Sequence, residues 1–568
     1  MAGTKKIINI GIVAHVDAGK TSVTEQFLYK SGVIRNLGNV DKGTSQSDSL
    51  AIEKERGISV KSSSASFKWN QIKINLIDTP GHVDFSAEVE RSLRTLDCTI
   101  LILSAVEGVQ AHAVTIWKAL RKMNIPVIIF VNKIDRMGAD TTAVIREIKK
   151  ELTPDIVVMQ SVHHEGSNEA MITDISQPAS WEKLPEDFIE SILNHDESLM
   201  HRYLENKPIT IPDIRKSLAD QILGNTLFPV LLGSAKFDTG IKELLNAITQ
   251  WMPRANGDNN APVSGIVYKV SHDKTIGRLA SIRLFNGAIQ TRDAVFNTTQ
   301  ETEEKISQIR QLQGQKQVDK GILFAGDSAV LCGMNRVKAG DIIGKDEGIR
   351  MPVKLHAALL TVQVSTATPE DFPALVNALQ ILTDEDPAMD MNWIKETREL
   401  HIKVMGLIQL EILENMLVER FQLRAIFGNP NVVYKETLAA PGEGYEEYTM
   451  PKPCWAVVRF KIEPGEAGSG VEYSSLVGVN QIAQRYQNEI ERTIPLALQQ
   501  GILGWEVTDI KITLIDGEHH TIHSRAGDFA VATPMAIMNG LKAIGTTLLE
   551  PMLDFTVAGP EDDLGKVI

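Results

Sequence analysis

The run Ile7-Ile8-Asn9-Ile10-Gly11-Ile12-Val13, followed by Ala14-His15-Val16-Asp17-Ala18-Gly19-Lys20-Thr21, decides the fold of this chain. An apolar stretch of strand length passes into a glycine-bearing loop. The loop in turn opens a helix-like run from Thr21 to Lys30. That context reads the octapeptide as a phosphate-binding loop. Ala14 stands where the usual pattern G-x-x-x-x-G-K-[ST] begins with Gly, so the loop by itself is also compatible with an ordinary strand-to-helix turn. Three later segments settle the choice by their order: Asp78-Thr79-Pro80-Gly81-His82, Asn132-Lys133-Ile134-Asp135 and Ser234-Ala235-Lys236. One loop points to a nucleotide. The ordered set points to a guanine nucleotide.

Each segment has a physical reason to be where it is. Backbone N–H groups around Asp17–Lys20 can wrap a β-phosphate at a helix N-terminus. Lys20 neutralises β/γ charge, and the Thr21 hydroxyl is placed to bind Mg²⁺. Asp78 follows the apolar run Ile72–Ile77, where a carboxylate can hold the Mg²⁺ shell. Gly81 leaves its N–H free to approach a γ-phosphate closely. His82, next in line, can orient an attacking water by hydrogen bonding. Asn132 to Asp135 ends another apolar run, the place where α/β sheets bind ligands. Asp135 can accept from guanine N1–H and the N2 amino group, and adenine would leave it unpaired. Lys133 lies along the base, and Ser234-Ala235-Lys236 offers a backbone N–H to guanine O6. In Glu55-Arg56-Gly57-Ile58-Ser59 the hydroxyl can cap Mg²⁺ when a γ-phosphate is present. The plainer reading of that segment is an exposed charged loop.

Outward from these motifs, residues 6–252 alternate short apolar runs with longer amphipathic ones. The runs Ile7–Ala14, Ile72–Ile77, Thr99–Ser104, Pro126–Val131 and Phe228–Leu232 read as buried strands. Stretches near 84–96, 111–123, 139–151 and 238–251 read as helices, which makes a mostly parallel, doubly wound α/β sheet. Asn70-Gln71 is expected to turn an antiparallel edge hairpin. The segment between Asp135 and Ser234 is too long for one crossover and reads as an insertion of unassigned role, with a turn at Gly166-Ser167-Asn168. Arg254–Pro262 is a polar linker. Beyond it, residues 262–350 carry short strand runs punctuated by glycine, the pattern of a small β-barrel. Residues 354–431 read as a compact α+β unit with helices at Asp371–Leu382 and Leu407–Phe421. Residues 434–548 read as another, with a long helix at Val479–Gln499. The stretch 549–568 is too short for a domain.

Composition bounds the rest. A chain of 568 residues exceeds one core, and 43% hydrophobic with 23% charged residues is ordinary for a globular protein. The formal net charge of −14 argues against a general nucleic-acid coat but allows local basic docking patches. No apolar run approaches the roughly 18 residues of a membrane span. The start, Met-Ala-Gly-Thr-Lys-Lys, runs into a strand without a signal-peptide pattern. Cys98, Cys332 and Cys454 fit no metal spacing and read as buried thiols in a reducing cytoplasm.

Taken together, Ala-His-Val-Asp-Ala-Gly-Lys-Thr, Arg-Gly-Ile-Ser, Asp-Thr-Pro-Gly-His and Asn-Lys-Ile-Asp resemble the motifs of translational GTPases of the elongation factor G class, over nearly the whole chain. The resemblance implies a P-loop GTP-binding domain over 1–253, a β-barrel domain and two α+β domains. The second of these reaches the decoding region. The opening of a truncated ferredoxin-like domain would lie at 549–568. It also implies that His82 is catalytic, with Val16 and Ile58 as its apolar gate, and that Thr21, Ser59 and Asp78 serve Mg²⁺. Ser59 departs from the threonine usual in the family but keeps the hydroxyl. Pro453-Cys454-Trp455-Ala456, Gly468–Ser475, Tyr486-Gln487-Asn488 and Gly504–Asp509 resemble the tetracycline-resistance ribosomal protection proteins within that class. Those proteins carry a proline-bearing loop where this chain has Asp516–Asp528, without proline. This departure bears on drug release, not on ribosome binding. His519, His520, His523 and Arg525 there suit a solvated or RNA-contacting loop better than a metal site.

The implied activity is ribosome-stimulated hydrolysis of GTP, with Mg²⁺, by a cytoplasmic monomer. Its partner would be the ribosome, RNA and protein, with no membrane or DNA partner, and the outcome would be release of tetracycline. The alternatives are an elongation-factor-like role without drug release and a ribosome-binding scaffold with little turnover.

Overall fold

The computed structural model describes residues 6–38, 53, 59–175, 184–205, 207–273, 275–394, 399–449 and 454–552. The chain forms two compact units, one of residues 1–358 and 362–429, the other of residues 359–361 and 430–568.

The first unit is built on a seven-stranded sheet. Its strands are β1 (Ile7–Ala14), β2 (Ser63–Trp69), β3 (Ile72–Asp78), β4 (Cys98–Ser104), β5 (Val127–Asn132), β6 (Ile156–Val158) and the later strand Phe228–Leu232. The order is β2, β3, β1, β4, β5, Phe228–Leu232, β6. Only the β2–β3 pair is antiparallel; the others are parallel. The apolar runs follow from burial on both faces. Ile8, Ile10, Ile12, Ile100, Ile102, Ile128 and Phe130 enter one core. Their neighbours Val13, Leu101, Leu103, Val127, Ile129 and Val131 enter the other, so the pleat divides each strand between two layers.

Helices α1 (Lys20–Lys30), α2 (Ser86–Leu93), α3 (Ala111–Lys122) and α4 (Thr141–Glu147) connect these strands. Asn70 and Gln71 turn the β2–β3 hairpin at positive φ, 47° and 63°, with Trp69 paired to Ile72. This is the left-handed pair a two-residue hairpin loop needs.

The long segment after Asp135 belongs to this domain's architecture. It supplies the edge strand β6 and a hairpin of β7 (Gln160–His163) with β8 (Met171–Asp174). Its helices Glu186–Leu193, Glu197–Leu204 and Ile211–Leu223 put Phe188, Ile192, Leu218 and Ile222 into the first core. The same unit then holds an eight-stranded antiparallel sheet and a two-stranded ribbon, Ala288–Gln290 with Ile322–Phe324, around one apolar core. An α+β segment follows, with helices Phe372–Glu385 and Leu407–Phe421. The first of these starts after a 3-10 turn at Pro369–Asp371 and runs to Glu385, beyond the expected Leu382.

In the second unit, Gly442–Tyr448, Ala456–Pro464, Ile510–His519 and Val471–Ser475 form a four-stranded sheet in that order, with the last pair parallel. Its helices are Gln484–Ala497 and Ala526–Ile544. Two expectations are corrected here. The long helix begins at Gln484 rather than Val479, because the Gln487 amide donates to the carbonyls of Val477 (3.0 Å) and Ile482 (2.9 Å) and holds that approach as a turn. The loop expected over Asp516–Asp528 shrinks to 520–525. Asp516–His519 still pair with Arg459–Ala456 in the sheet, and the helix starts at Ala526.

Candidate functional site: a phosphate loop tied to two strand ends

β1 delivers the loop His15–Gly19 to the N-terminus of α1. Asp17 and Gly19 sit at positive φ, 62° and 88°. Gly19 is obligatory on two counts. Its backbone is left-handed, and a Cβ there would stand 2.3 Å from Asn132 Nδ2. That contact reveals how the segments interlock. The Asn132 side chain, at the end of β5, donates to the Ala18 carbonyl (2.9 Å) and accepts from the Ala235 N–H (2.9 Å). Gln26 of α1 donates to the Ala235 carbonyl at 2.6 Å. One buried amide thus fastens the phosphate loop to the Ser234–Lys236 turn.

Lys20 Nζ lies 2.7 Å from Asp78 Oδ1 and 3.4 Å from the Ser59 hydroxyl. Thr24 donates to the other Asp78 oxygen at 3.0 Å. The hydroxyls of Thr21 and Ser59 face each other at 3.4 Å. Two hydroxyls and a nearby carboxylate are hard oxygen donors, which fit Mg²⁺ rather than a softer metal. Thr79 anchors the next loop by donating from Oγ1 to the Ile12 carbonyl at 2.8 Å. His82 accepts the Asp84 N–H on Nδ1 at 3.2 Å, which leaves Nε2 as its protonated nitrogen. Gly81 comes near the carbonyls of Ala14 and His15, but a Cβ there would make ordinary contacts of 3.5 and 3.6 Å. The fold itself therefore does not require that glycine.

Most of these groups line a cleft of about 610 Å³, with Thr24, Asp78 and Thr79 buried behind its lining. His15, Val16, Asp17, Gly19, Lys20, Thr21, Ser59, Gly81, His82, Asn132, Lys133, Asp135, Ser234, Ala235 and Lys236 all border it. Ala14, Ala18, Thr79, Pro80 and Ile134 are buried outside that lining and hold its backbone. Val16 is 36% exposed at the cleft, and Ile58, expected as the other half of an apolar gate, lies outside the described residues. Sequence reasoning missed seven lining residues: Ser22, Glu25, Gln26, Leu37, Gly38, Glu107 and Arg136. Glu107 pairs with Lys133 at 3.1 Å. Burial pushes its carboxyl up, but hydrogen bonds from Ser104 and Lys133 outweigh this and leave it below the usual range. Lys133 itself is at φ 67°, a strained placement consistent with a functional turn. His15 is buried with both ring nitrogens unpartnered among the described residues, and burial lowers its pKa.

Comparisons agree with this geometry. Residues 5–254 match the elongation factor Tu GTP binding domain. Residues 262–345, 356–429 and 430–543 match elongation factor G domain 2, domain III and domain IV in turn. The chain belongs to the elongation factor G class of translational GTPases, and it is a guanine-nucleotide-binding enzyme that hydrolyses GTP. Across 99% of its length it is 38% identical to tetracycline resistance protein TetP of Clostridium perfringens, covering 86% of that protein. It is 34% identical to TetW of Butyrivibrio fibrisolvens and to TetM of Staphylococcus aureus, with the same coverage. A crystal structure of a Thermus thermophilus protein shares the fold at a TM-score of 0.66 and 23% identity, over 95% of this chain and 85% of that one.

Proposed function

We propose that this GTPase acts on the ribosome and protects it by releasing tetracycline. The observation that carries this reading is the identity to tetracycline resistance proteins, which extends over 99% of the chain and so includes the second unit. In the cleft, the backbone of Asp17–Lys20 cradles the β-phosphate and Lys20 exchanges Asp78 for phosphate oxygens. Thr21 and Ser59 would hold Mg²⁺ directly, with Asp78 behind them; the ion supplies positive charge against the phosphate oxygens. Asp135 and the Ser234–Lys236 turn select guanine. His82, with its protonated Nε2, orients the attacking water, and docking on ribosomal RNA and protein brings it to the γ-phosphate.

A second reading, an elongation-factor-like role without drug release, draws on the short, proline-free loop at 520–525. The deciding experiment expresses the chain in a tetracycline-sensitive host and measures the drug concentration that halts growth, alongside phosphate release on ribosomes. Tolerance should rise, and His82→Ala should abolish ribosome-stimulated hydrolysis while nucleotide still binds. Stimulated hydrolysis without any gain in tolerance would select the second reading. Hydrolysis indifferent to His82→Ala would remove the catalytic assignment.

A further inference from the structure

Glu385 lies at the end of the helix Phe372–Glu385, outside the nucleotide cleft, yet it gathers two cationic side chains and an imidazole from three parts of the first unit. Lys61 Nζ is 2.8 Å away, Arg420 makes a two-pronged contact at 2.9 and 2.6 Å, and His272 Nδ1 is at 3.2 Å. The carboxylate is 8% exposed. A buried carboxylate with this many partners is a fixed point, because removing its charge would strand cations away from water.

Lys61 is two residues from Ser59, whose hydroxyl faces Lys20 and Thr21 in the cleft. Two extended residues span only about 7 Å, so a displacement at Lys61 reaches Ser59 with little slack. The backbone on either side of Lys61 is held by polar groups from elsewhere. Glu53 accepts the N–H groups of Val60 (2.8 Å) and Lys61 (3.0 Å), Glu88 accepts that of Ser62 (2.6 Å), and Lys269 donates to the Ser62 carbonyl. Val60, Phe85, Leu382, Leu413 and Met416 border a cavity of about 60 Å³ instead of closing on one another.

We infer that Glu385 is a positioning residue for the nucleotide site, holding Ser59 through the Lys61–Glu385 ion pair so that a nucleoside triphosphate is favoured over the diphosphate. This rests on the reading that the Thr21 and Ser59 hydroxyls serve the cation of the bound triphosphate. Burial would raise the Glu385 carboxyl, but hydrogen bonds from His272 and Arg420 and the charge of Lys61 hold it well below the usual range. The Glu385 carboxylate therefore stays charged across ordinary pH and acts as a permanent strut.

The test measures the affinity of the full chain, with Mg²⁺, for a non-hydrolysable GTP analogue and for GDP. The proteins are wild type, Lys61→Met, Glu385→Gln and the double variant. Lys61→Met is the milder probe, since Glu385 keeps Arg420 and His272. It should weaken the analogue roughly five- to twentyfold and GDP less than about twofold. The double variant should be no worse than the poorer single one, the mark of one shared interaction. Lys61→Arg should restore the preference. Equal weakening of both nucleotides, an unchanged analogue affinity or additive losses would each overturn the inference. Absence of guanine-nucleotide binding by the wild type would instead overturn the reading of the cleft on which it rests.

Discussion

Asn132→Ala isolates the joint that holds the cleft together. The substitution strips partners from two buried backbone groups, the Ala18 carbonyl and the Ala235 N–H, each now bonded to the Asn132 amide at 2.9 Å. An orphaned buried group costs about 1–3 kcal/mol, so the pair is worth roughly 2–6 kcal/mol. Gln26 still holds the Ala235 carbonyl, which limits how far the Ser234–Lys236 turn can move. We expect about half of the loss to appear as disorder of the empty loops that nucleotide binding must reverse. A cost of about 2 kcal/mol is roughly a thirtyfold rise in Kd. Titration calorimetry with GDP reads it directly. Asn132→Asp sharpens the experiment. It keeps an acceptor for Ala235 but sets a carboxylate oxygen against the Ala18 carbonyl, so it should do no better than alanine. GDP affinity within twofold of wild type for Asn132→Ala would refute the argument, and recovery in Asn132→Asp would shift it from Ala18 to Ala235 alone.

Two further expectations concern stability. Arg283 is almost fully buried, 2.9 Å from Asp97, whose carboxyl is raised by burial and lowered by Arg283. Arg283→Met takes the ion-pair partner from Asp97 and leaves it the Asn9 hydrogen bonds and the more distant Arg350 charge; it should cost about 3 kcal/mol in urea unfolding, and adding Asp97→Asn should recover part of the loss. Equal melting of wild type and Arg283→Met would contradict it. His112 has two walled-off ring nitrogens without a partner among the described residues, and burial, followed by the charges of His356, His15 and His82, lowers its pKa from 6.5 to about 4. Between those values the unfolded chain binds a proton that the folded chain refuses. Stability should therefore fall as pH drops from about 6.5 towards 4, by up to ~3 kcal/mol. His112→Phe should flatten that slope in thermal melts across the range, and an unchanged slope would sink the assignment.

The parts of the fold that were legible in the sequence are those set by local pattern. Central strands buried on both faces announce themselves as apolar runs, and the bounds of β1 match the expected run residue for residue. Asn70-Gln71 was legible because a two-residue turn has few solutions. What stayed hidden depends on partners distant in sequence. Nothing local marks Ile156–Val158 as an edge strand, because its pairing is with Phe228–Val230. The start of the helix at Gln484 is set by a side chain folding back on Val477, which periodicity does not register. In the cleft, residue types were readable from spacing. The bridging role of Asn132 was not, since it joins the phosphate loop to a turn about a hundred residues further on. Lys61 carried no signal, because its partner Glu385 lies in a different sheet-and-helix segment.

The same distinction bears on the loop at 520–525. Its lack of proline suggests a loop unlike that of the resistance proteins, since proline stiffens a loop by fixing φ. This chain holds the segment by other means. His520 accepts the N–H groups of Ile522 (3.2 Å) and His523 (3.3 Å) on Nδ1 and donates its own N–H to the Ser524 hydroxyl at 2.7 Å. The Ser524 hydroxyl in turn donates to the Trp455 carbonyl. The His520 and His523 rings stack at 4.6 Å, with Trp455 against His520 at 5.6 Å. A side-chain acceptor inside the turn restrains the backbone as an Asx-type turn does. The missing prolines are thus no argument for a slack tip. If drug release depends on stiffness at this position, the histidine and serine bonds supply it, and the question passes to which groups the turn presents. Ile522, 80% exposed in this turn, is one of the side chains it presents, together with the exposed Thr521 and His523.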